Sequence, residues 1–287
     1  MTRTSQSEAV DKLGRLVLVA TPIGNLADLS PRAVSVLAQA DVIAAEDTRR
    51  TRVLLDHAGI SGTMISYHEH NEETRTGPLL DRVEAGETVA VVTDAGTPGL
   101  ADPGFLLVRE AINRGLRVEA VPGPAAVVQA LVLSGLPLDR FAFEGFLPRK
   151  SGARTRRLTD LAEDPRTLVF YVTPHRAVAD LEAMAAALGD RPAALCRELT
   201  KLHEEIWRGR LSDLAARAAA QGVRGEVTVV VGGCSSPPPS VVTDAEILDR
   251  VRTLLATGLD RRAAIARVAQ AAGIPKRRVY NAVTQSG

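Results

Sequence analysis

The densest run of chemistry-bearing residues lies between Val89 and Gly104, which reads VAVVTDAGTPGLADPG. Its β-branched start (Val89, Val91, Val92, Thr93) suits a buried strand. The strand should stop at Asp94, where Gly96, Pro98 and Gly99 supply a tight loop. Asp102-Pro103 reads as an N-cap followed by proline at the first helical position, opening an amphipathic helix through Arg114. A strand that passes through a glycine-rich turn into a helix is where open α/β sheets hold ligands, and it is equally the form of a plain connection. The stretch carries neither G-x-x-x-x-G-K-S/T nor G-x-G-x-x-G, so no phosphate-cradling fingerprint decides between the two. Related junctions stand at Ser30-Pro31, Gly123-Pro124 and Thr173-Pro174. Each singly is a standard helix start; converging on one cleft, their free N–H groups would favour a carboxylate or another anion.

Three basic clusters could meet phosphate. Arg49, Arg50 and Arg52 follow the acidic pair Glu46-Asp47. Arg149, Lys150, Arg154, Arg156 and Arg157 stand without an acid between Leu147 and Thr159, in an expected loop, and clustered arginines on loops suit phosphate contacts. Lys276, Arg277 and Arg278 form the third. The competing reading for each is a solvated charged face. His68 and His70 would share one face of a strand, but with no third ligand evident and the cysteines remote, no metal is expected. No G-x-S-x-G occurs and neither cysteine neighbours a histidine, so no nucleophile motif is present.

The elements that must position these groups alternate along the chain. Strands are expected at Leu16–Ala20, Asp41–Ala45, Thr63–Tyr67, Val89–Thr93 and Arg117–Val121, separated by helices. The pattern restarts with strands at Phe141–Phe146, Thr167–Val172, Ala193–Glu198 and Val227–Val231, with helices after Thr173-Pro174 and near Leu211–Ala220. This is an α/β class with crossover connections, organised as a polar tail (1–13), two α/β domains (14–123 and 124–234), a proline-rich linker (235–243) and a helical module (244–287). From Ser240 onward, eight basic residues face four acids, and the two arginine-rich helices expected around Gly273 are helix-turn-helix-like, suited to nucleic-acid contact or to packing.

Composition narrows the classes further. A net charge of +1 gives no global attraction to nucleic acid, so any basic surface must be local. Aromatic residues, at 3%, are too few for a base-stacking platform. Two cysteines, Cys196 and Cys234, make no disulfide framework and fit a reducing cytoplasm. No apolar run approaches the length of a membrane span, and the start MTRTSQSEAVDK lacks the apolar core of a signal peptide.

Several stretches taken together resemble one family: VATPIGNLADLSPRAVSVLAQADVIAAEDTRRTRVLL, VVTDAGTPGLADPG, VPGPAA, LSGLPLDRFAFEGFLPRK, RELTKLHEEIWRG and GEVTVVVGG. Over nearly all of residues 15–233 the chain is similar to the ribosomal RNA small subunit methyltransferase I family, a branch of the tetrapyrrole-methylase-like enzymes that use S-adenosylmethionine. The resemblance implies two α/β domains of the tetrapyrrole methylase type with the cofactor in the cleft between them, and a homodimer. It also implies methyl transfer to the ribose 2′-hydroxyl of a cytidine in small-subunit (16S) rRNA. On this chain the cofactor is expected to touch Pro22, the turn Asp94, Ala95, Gly96, Thr97 and Pro98, and Asp102. Further contacts fall on Pro122, Gly123, Ala125 and Ala126, on Thr173 and Pro174, and on Glu226, Val227 and Thr228. The family carries an acidic residue and a serine before Pro-His-Arg. Here the chain reads Val172-Thr173-Pro174-His175-Arg176, which leaves backbone contacts at residue 172.

The reaction is an in-line displacement on a sulfonium-borne methyl; it needs alignment and no metal. The cofactor's carboxylate should seek helix N-termini and its cationic sulfur avoid them. A ribose hydroxyl gains from a nearby base, for which Asp47, Glu46 and then His68 are the candidates. Two other readings compete. A tetrapyrrole methyltransferase of the same fold is disfavoured, since TPIGN replaces a G-x-G-P-G-type first loop. A non-enzymatic RNA-binding module would use the basic clusters alone and bind no cofactor.

Overall fold

A computed structural model of the chain describes residues 14–234, 243–272 and 274–285. The expected tail (1–13), all but the last residue of the expected linker (235–243) and the turn at Gly273 lie outside the described residues. The chain separates into two compact units, residues 1–232 and 233–287.

The first half of the larger unit is a five-stranded parallel sheet. Its strands are β1 (Arg15–Val19), β2 (Val42–Ala45), β3 (Met64–Ser66), β4 (Thr88–Val92) and β5 (Arg117–Val121), in the order β3-β2-β4-β1-β5. Between them run α1 (Pro31–Gln39), α2 (Thr48–Ala58), α3 (Glu72–Glu84) and α4 (Phe105–Asn113). Alternate strand residues serve opposite faces. Val17, Val19, Ile43, Ala45, Ala90 and Val92 pack with Ala33, Leu37 and Leu55 of α1 and α2. Leu16, Val42, Ala44, Val89 and Val91 pack with Leu79, Leu80 and Leu107 of α3 and α4. Two-sided burial explains why these strands read as continuous apolar runs. All five end at one edge of the sheet, where α/β folds build their crevice.

The second half carries α5 (Ala126–Ser134), β6 (Phe141–Phe146), α6 (Ser151–Asp160), β7 (Thr167–Val172), α7 (Ala177–Leu188), β8 (Pro192–Arg197), β9 (Glu205–Arg210), α8 (Leu211–Gln221) and β10 (Val227–Val231). The sheet order is β6-β7-β10-β8-β9, and only β6 and β7 run parallel. The expected crossover pattern therefore holds for the first sheet, while the second is mixed. Helices α6, α7 and α8 cover one face through Leu158, Leu181, Met184 and Leu214, and α5 covers the other through Val127, Ala130 and Leu131. Ile23, from the first half, joins that second cluster.

Local expectations are corrected at five points. The arginine-rich segment after Pro148 is mainly helix α6 rather than a loop, because Leu158 and Leu161 anchor it to the core. EIWRGR forms an unanticipated edge strand whose one buried side chain is Trp207. Helix α4 begins at Phe105 behind Gly104 (φ 135°), so Asp102 does not cap it. Helix α5 begins at Ala126, after Pro124, and Thr173-Pro174 opens a single 3-10 turn ahead of α7. Ser30 caps α1 as expected, accepting the N–H of Ala33 at 3.1 Å.

The smaller unit holds α9 (Asp244–Ala256), α10 (Arg261–Ala272) and α11 (Lys276–Gln285) around Ile247, Val251, Val268 and Val279. Thr243 and Glu246 form a capping box at its start. Among the described residues no helix is long and apolar enough to cross a membrane.

Candidate active site

Adjacent parallel strands β2 and β4 deliver carboxylates side by side. Glu46 Oε2 accepts the N–H of Asp94 at 3.1 Å, and Asp94 Oδ1 accepts the N–H of Asp47 at 3.1 Å. Arg50 from α2 closes on the other Asp94 oxygen at 3.2 Å. Burial raises the Asp94 carboxyl while Arg50 pulls it back down. Beyond Asp94, Gly96 sits at φ 88°, a conformation that suits glycine, and bridges to Thr21 through N–H···O bonds of 2.8 and 3.1 Å. Ala101, at φ 64°, is a non-glycine residue held in the left-handed region just before Asp102. Burial, together with the neighbouring charges of Glu46, Asp94 and Glu226, pushes the Asp102 carboxyl up to about 7.

Opposite stand the ends of β6, β7 and β10. Phe146, Tyr171, Val172, Thr173, Pro174 and Gly225 through Thr228 face Ile23, Asp94 to Thr97, Leu100 to Asp102, Ala125 and Ala126 across a cavity of about 310 Å³. Burial, with Asp102 and Glu226 nearby, pushes the Tyr171 phenol up to about 12. The Oγ1 atoms of Thr93 and Thr173 are buried without a hydrogen-bond partner among the described residues, and Thr173 lines the cavity. An apolar interior with four carboxylates (Glu46, Asp94, Asp102, Glu226) and one arginine on its walls suits a nucleoside-sized ligand that carries positive charge. The N-terminus of α5 also opens on the cavity at Ala125 and Ala126, where a ligand's own carboxylate finds free N–H groups.

Of the residues expected at the cofactor, Asp94, Ala95, Gly96, Thr97, Asp102, Ala125, Ala126, Thr173, Pro174, Glu226, Val227 and Thr228 line the cavity, whereas Pro22, Pro98, Pro122 and Gly123 do not. The side chain of Val172 belongs to the core, packed with Leu168 and Phe170, which leaves its main chain to the cleft. Among the proposed bases Glu46 lines the cavity; Asp47 and His68 do not. Asp47 caps α2 and holds Arg49 at 2.9 Å, and that hydrogen bonding lowers its carboxyl to about 2. His68 lies in the turn before α3, its Nε2 3.3 Å from Asn71 Nδ2. Sequence reasoning missed Ile23, Leu100, Ala101, Phe146, Tyr171 and Gly225; most are apolar, and only the packing of the two sheets turns them toward one space.

The basic clusters divide in the same way. Arg154 and Arg176 both reach the buried Asp180, at 3.4 and 3.0 Å, and Arg157 pairs with the buried Glu144, so Arg154 and Arg157 are committed inward. Arg50 faces the cleft and Arg49 is tied to Asp47. Arg52, Arg149, Lys150 and Arg156 are exposed, with no such inward ion pair formed by any of the four among the described residues.

The two-sheet architecture and its carboxylate-lined cleft define a tetrapyrrole-methylase type of enzyme. Residues 15–215 match the family Tetrapyrrole (Corrin/Porphyrin) Methylases. Among solved structures, uroporphyrin-III-C-methyltransferase from Thermus thermophilus superposes with a TM-score of 0.54 at 24% identity, covering 76% of this chain and 94% of that one. The methyltransferase CobJ superposes at 0.59 with 20% identity, over 77% and 95%. Much nearer in sequence is the ribosomal RNA small subunit methyltransferase I of Mycobacterium tuberculosis, 48% identical over 277 residues and 95% of each chain. Its namesakes in Synechocystis sp. and Pseudomonas aeruginosa are 43% and 45% identical, covering 93% and 95% of this chain and 96% and 97% of theirs. The chain belongs to the ribosomal RNA small subunit methyltransferase I family.

Proposed function

We propose that this enzyme transfers the methyl group of S-adenosylmethionine to the ribose 2′-hydroxyl of a cytidine in small-subunit rRNA. The observation that carries the proposal is the cleft itself, a cavity of about 310 Å³ walled by Glu46, Asp94, Asp102 and Glu226 in a chain 43–48% identical to the rRNA methyltransferases. When bound, S-adenosylmethionine supplies an electrophilic methyl on a sulfonium, which an oxygen in line with the carbon–sulfur bond displaces. The chain's carboxylates offset the positive charge of that group, and Asp102 does so once its proton has left. Thr173 Oγ1 and the N–H groups at the start of α5 offer the polar contacts that orient it. Glu46, which lines the cavity with one oxygen held by the Asp94 N–H, is suited to take the hydroxyl proton. Arg50, Arg52, Arg149, Lys150 and Arg156 are the cations suited to meet phosphates beside the cleft-forming elements.

The assembly and setting follow the same reading. Exposed Phe105, Ile112, Val128 and Val132 on α4 and α5 support a homodimer. In the smaller unit, Arg261, Arg262, Lys276, Arg277 and Tyr280 line one groove, which supports RNA contact by that module. An rRNA substrate supports a cytoplasmic setting. The test is transfer of labelled methyl from S-adenosylmethionine to small ribosomal subunits taken from cells that lack this activity, run beside a reduced tetrapyrrole. Label in 16S rRNA alone is expected; label on the tetrapyrrole, or on neither, refutes the proposal.

A further inference from the structure

The connection from β8 to β9, residues 198–204, is built far more tightly than an edge hairpin requires. Two of its non-glycine residues, Glu198 (φ 53°) and Thr200 (φ 66°), occupy the left-handed region, a conformation that L-residues keep only where their surroundings hold them. The holding contacts are specific. Glu198 exchanges backbone and side-chain bonds with Glu226: its N–H donates to the Glu226 carbonyl at 2.9 Å, and its Oε1 accepts the Glu226 N–H at 2.9 Å. Lys201 Nζ donates to that same Oε1 at 2.8 Å and reaches the Glu226 carboxylate at 3.3 Å. Glu204 closes the loop by accepting the N–H of Thr200 at 2.7 Å.

Two glycines mark where the loop meets the walls of the cleft. At Gly225, which lines the cavity at φ 78°, a Cβ would stand 2.2 Å from Glu198 Oε1. At Gly24, next to the cavity-lining Ile23, a Cβ would stand 2.3 Å from Lys201 Cγ and 3.0 Å from the carbonyl oxygen of Leu199. Leu199 itself is buried in the cluster that contains Ile23. One loop therefore packs against Ile23-Gly24 of the first half and Gly225-Glu226 of the second, yet lines no part of the cavity.

We infer that residues 198–204 are a buttress that sets the spacing of the two cleft walls, and that Glu198 and Lys201 are positioning residues acting through Glu226. Resting on the reading of the cleft as the S-adenosylmethionine site, this assigns the RELTK stretch a task in ligand affinity. The ammonium of Lys201 faces two carboxylates, Glu198 and Glu226, and ties the second to the first. Without it, Glu226 swings free of its place on the wall.

The test uses the full chain and S-adenosylhomocysteine titrated by calorimetry, with thermal unfolding alongside. Lys201→Met keeps the stem over Gly24 and removes the charge; it should weaken binding about tenfold, the scale of a lost charge-assisted hydrogen bond, with little change in Tm. Lys201→Arg should restore affinity to within about threefold of the wild type. Gly24→Ala pushes the same loop from the other side, so it should also weaken binding, and the Gly24→Ala/Lys201→Met pair should lose less than the sum of the two. Leu188→Ala, a core truncation at the end of α7 away from the cleft, should lower Tm and leave affinity unchanged. Wild-type affinity in both Lys201→Met and Gly24→Ala, or losses that merely follow Tm as in Leu188→Ala, would overturn the buttress while the cofactor reading stands. No saturable binding by the wild-type protein would overturn both.

Discussion

Replacing Asp102 by asparagine separates the two demands placed on that carboxyl. In the unfolded chain it ionises at its ordinary 3.8; in the folded cleft it ionises near 7, because it is half-buried and faces Glu46, Asp94 and Glu226. Between those values the folded protein binds the extra proton, so stability falls as pH rises from about 4 to 7 and levels off above. Taken in full, that gap is a penalty of roughly 4 kcal/mol on the ionised form. Solvent reaches Asp102 along the open side of the cleft and trims the penalty, and Asp102→Asn should recover about 1–2 kcal/mol at pH 8. For a unit of this size that is a rise in Tm of about 2–8 °C. Well below pH 4, where the wild-type carboxyl is protonated in both states, the two proteins should melt together. Calorimetric S-adenosylmethionine binding should move the other way, falling at least about tenfold because an amide cannot offset a cation. Thermal unfolding at pH 4 and pH 8 decides the matter: an Asp102→Asn protein less stable than wild type at pH 8, or equally shifted at both pH values, would rule out a carboxyl strained by ionisation in the cleft.

The same titration makes wild-type S-adenosylmethionine affinity weak below pH 7, rising about tenfold per pH unit toward 7 and flat above 8; calorimetry across pH 5.5–8.5 checks it. Removing the buried Asp180 carboxylate with Asp180→Ala strands Arg154 and Arg176 and should cost about 3–5 kcal/mol, read from urea unfolding. Neutralising Arg149, Lys150 and Arg156 together should flatten the salt dependence of RNA affinity by about 0.7–0.9 for every phosphate no longer neutralised, measured by filter binding at several salt concentrations. The inward-paired Arg157→Gln should leave that slope unchanged.

Much of the site was legible because its signals are local. The β4 run, the stop at Asp94, the φ-positive Gly96 and the Ser30 cap each depend on residues within a few positions, and each stands where expected. The acidic pair at the end of β2 was legible as chemistry but not as roles. Which of two neighbours faces the cleft depends on where α2 begins, and Asp47 is taken up in capping that helix. Asp102 has the look of a cap for the same local reason, but Gly104 turns the chain and leaves its carboxyl in the cleft. The far wall was hidden: Tyr171 sits on β7, a strand buried on both faces where alternation cannot tell which face opens on a cavity, and Phe146 ends the edge strand β6 with no pattern of its own to mark it. Nor can arginine spacing reveal that Arg154 and Arg157 meet buried acids 26 and 13 residues away along the chain.

Methyl transfer to a ribose oxygen is decided by alkaline hydrolysis of 16S rRNA labelled by this enzyme from methyl-labelled S-adenosylmethionine. A 2′-O-methyl group removes the hydroxyl that attacks the neighbouring phosphate, so the label should emerge in an alkali-resistant dinucleotide whose 5′ residue is a cytidine. Label recovered in a mononucleotide would put the methyl on a base and exclude the ribose as its acceptor.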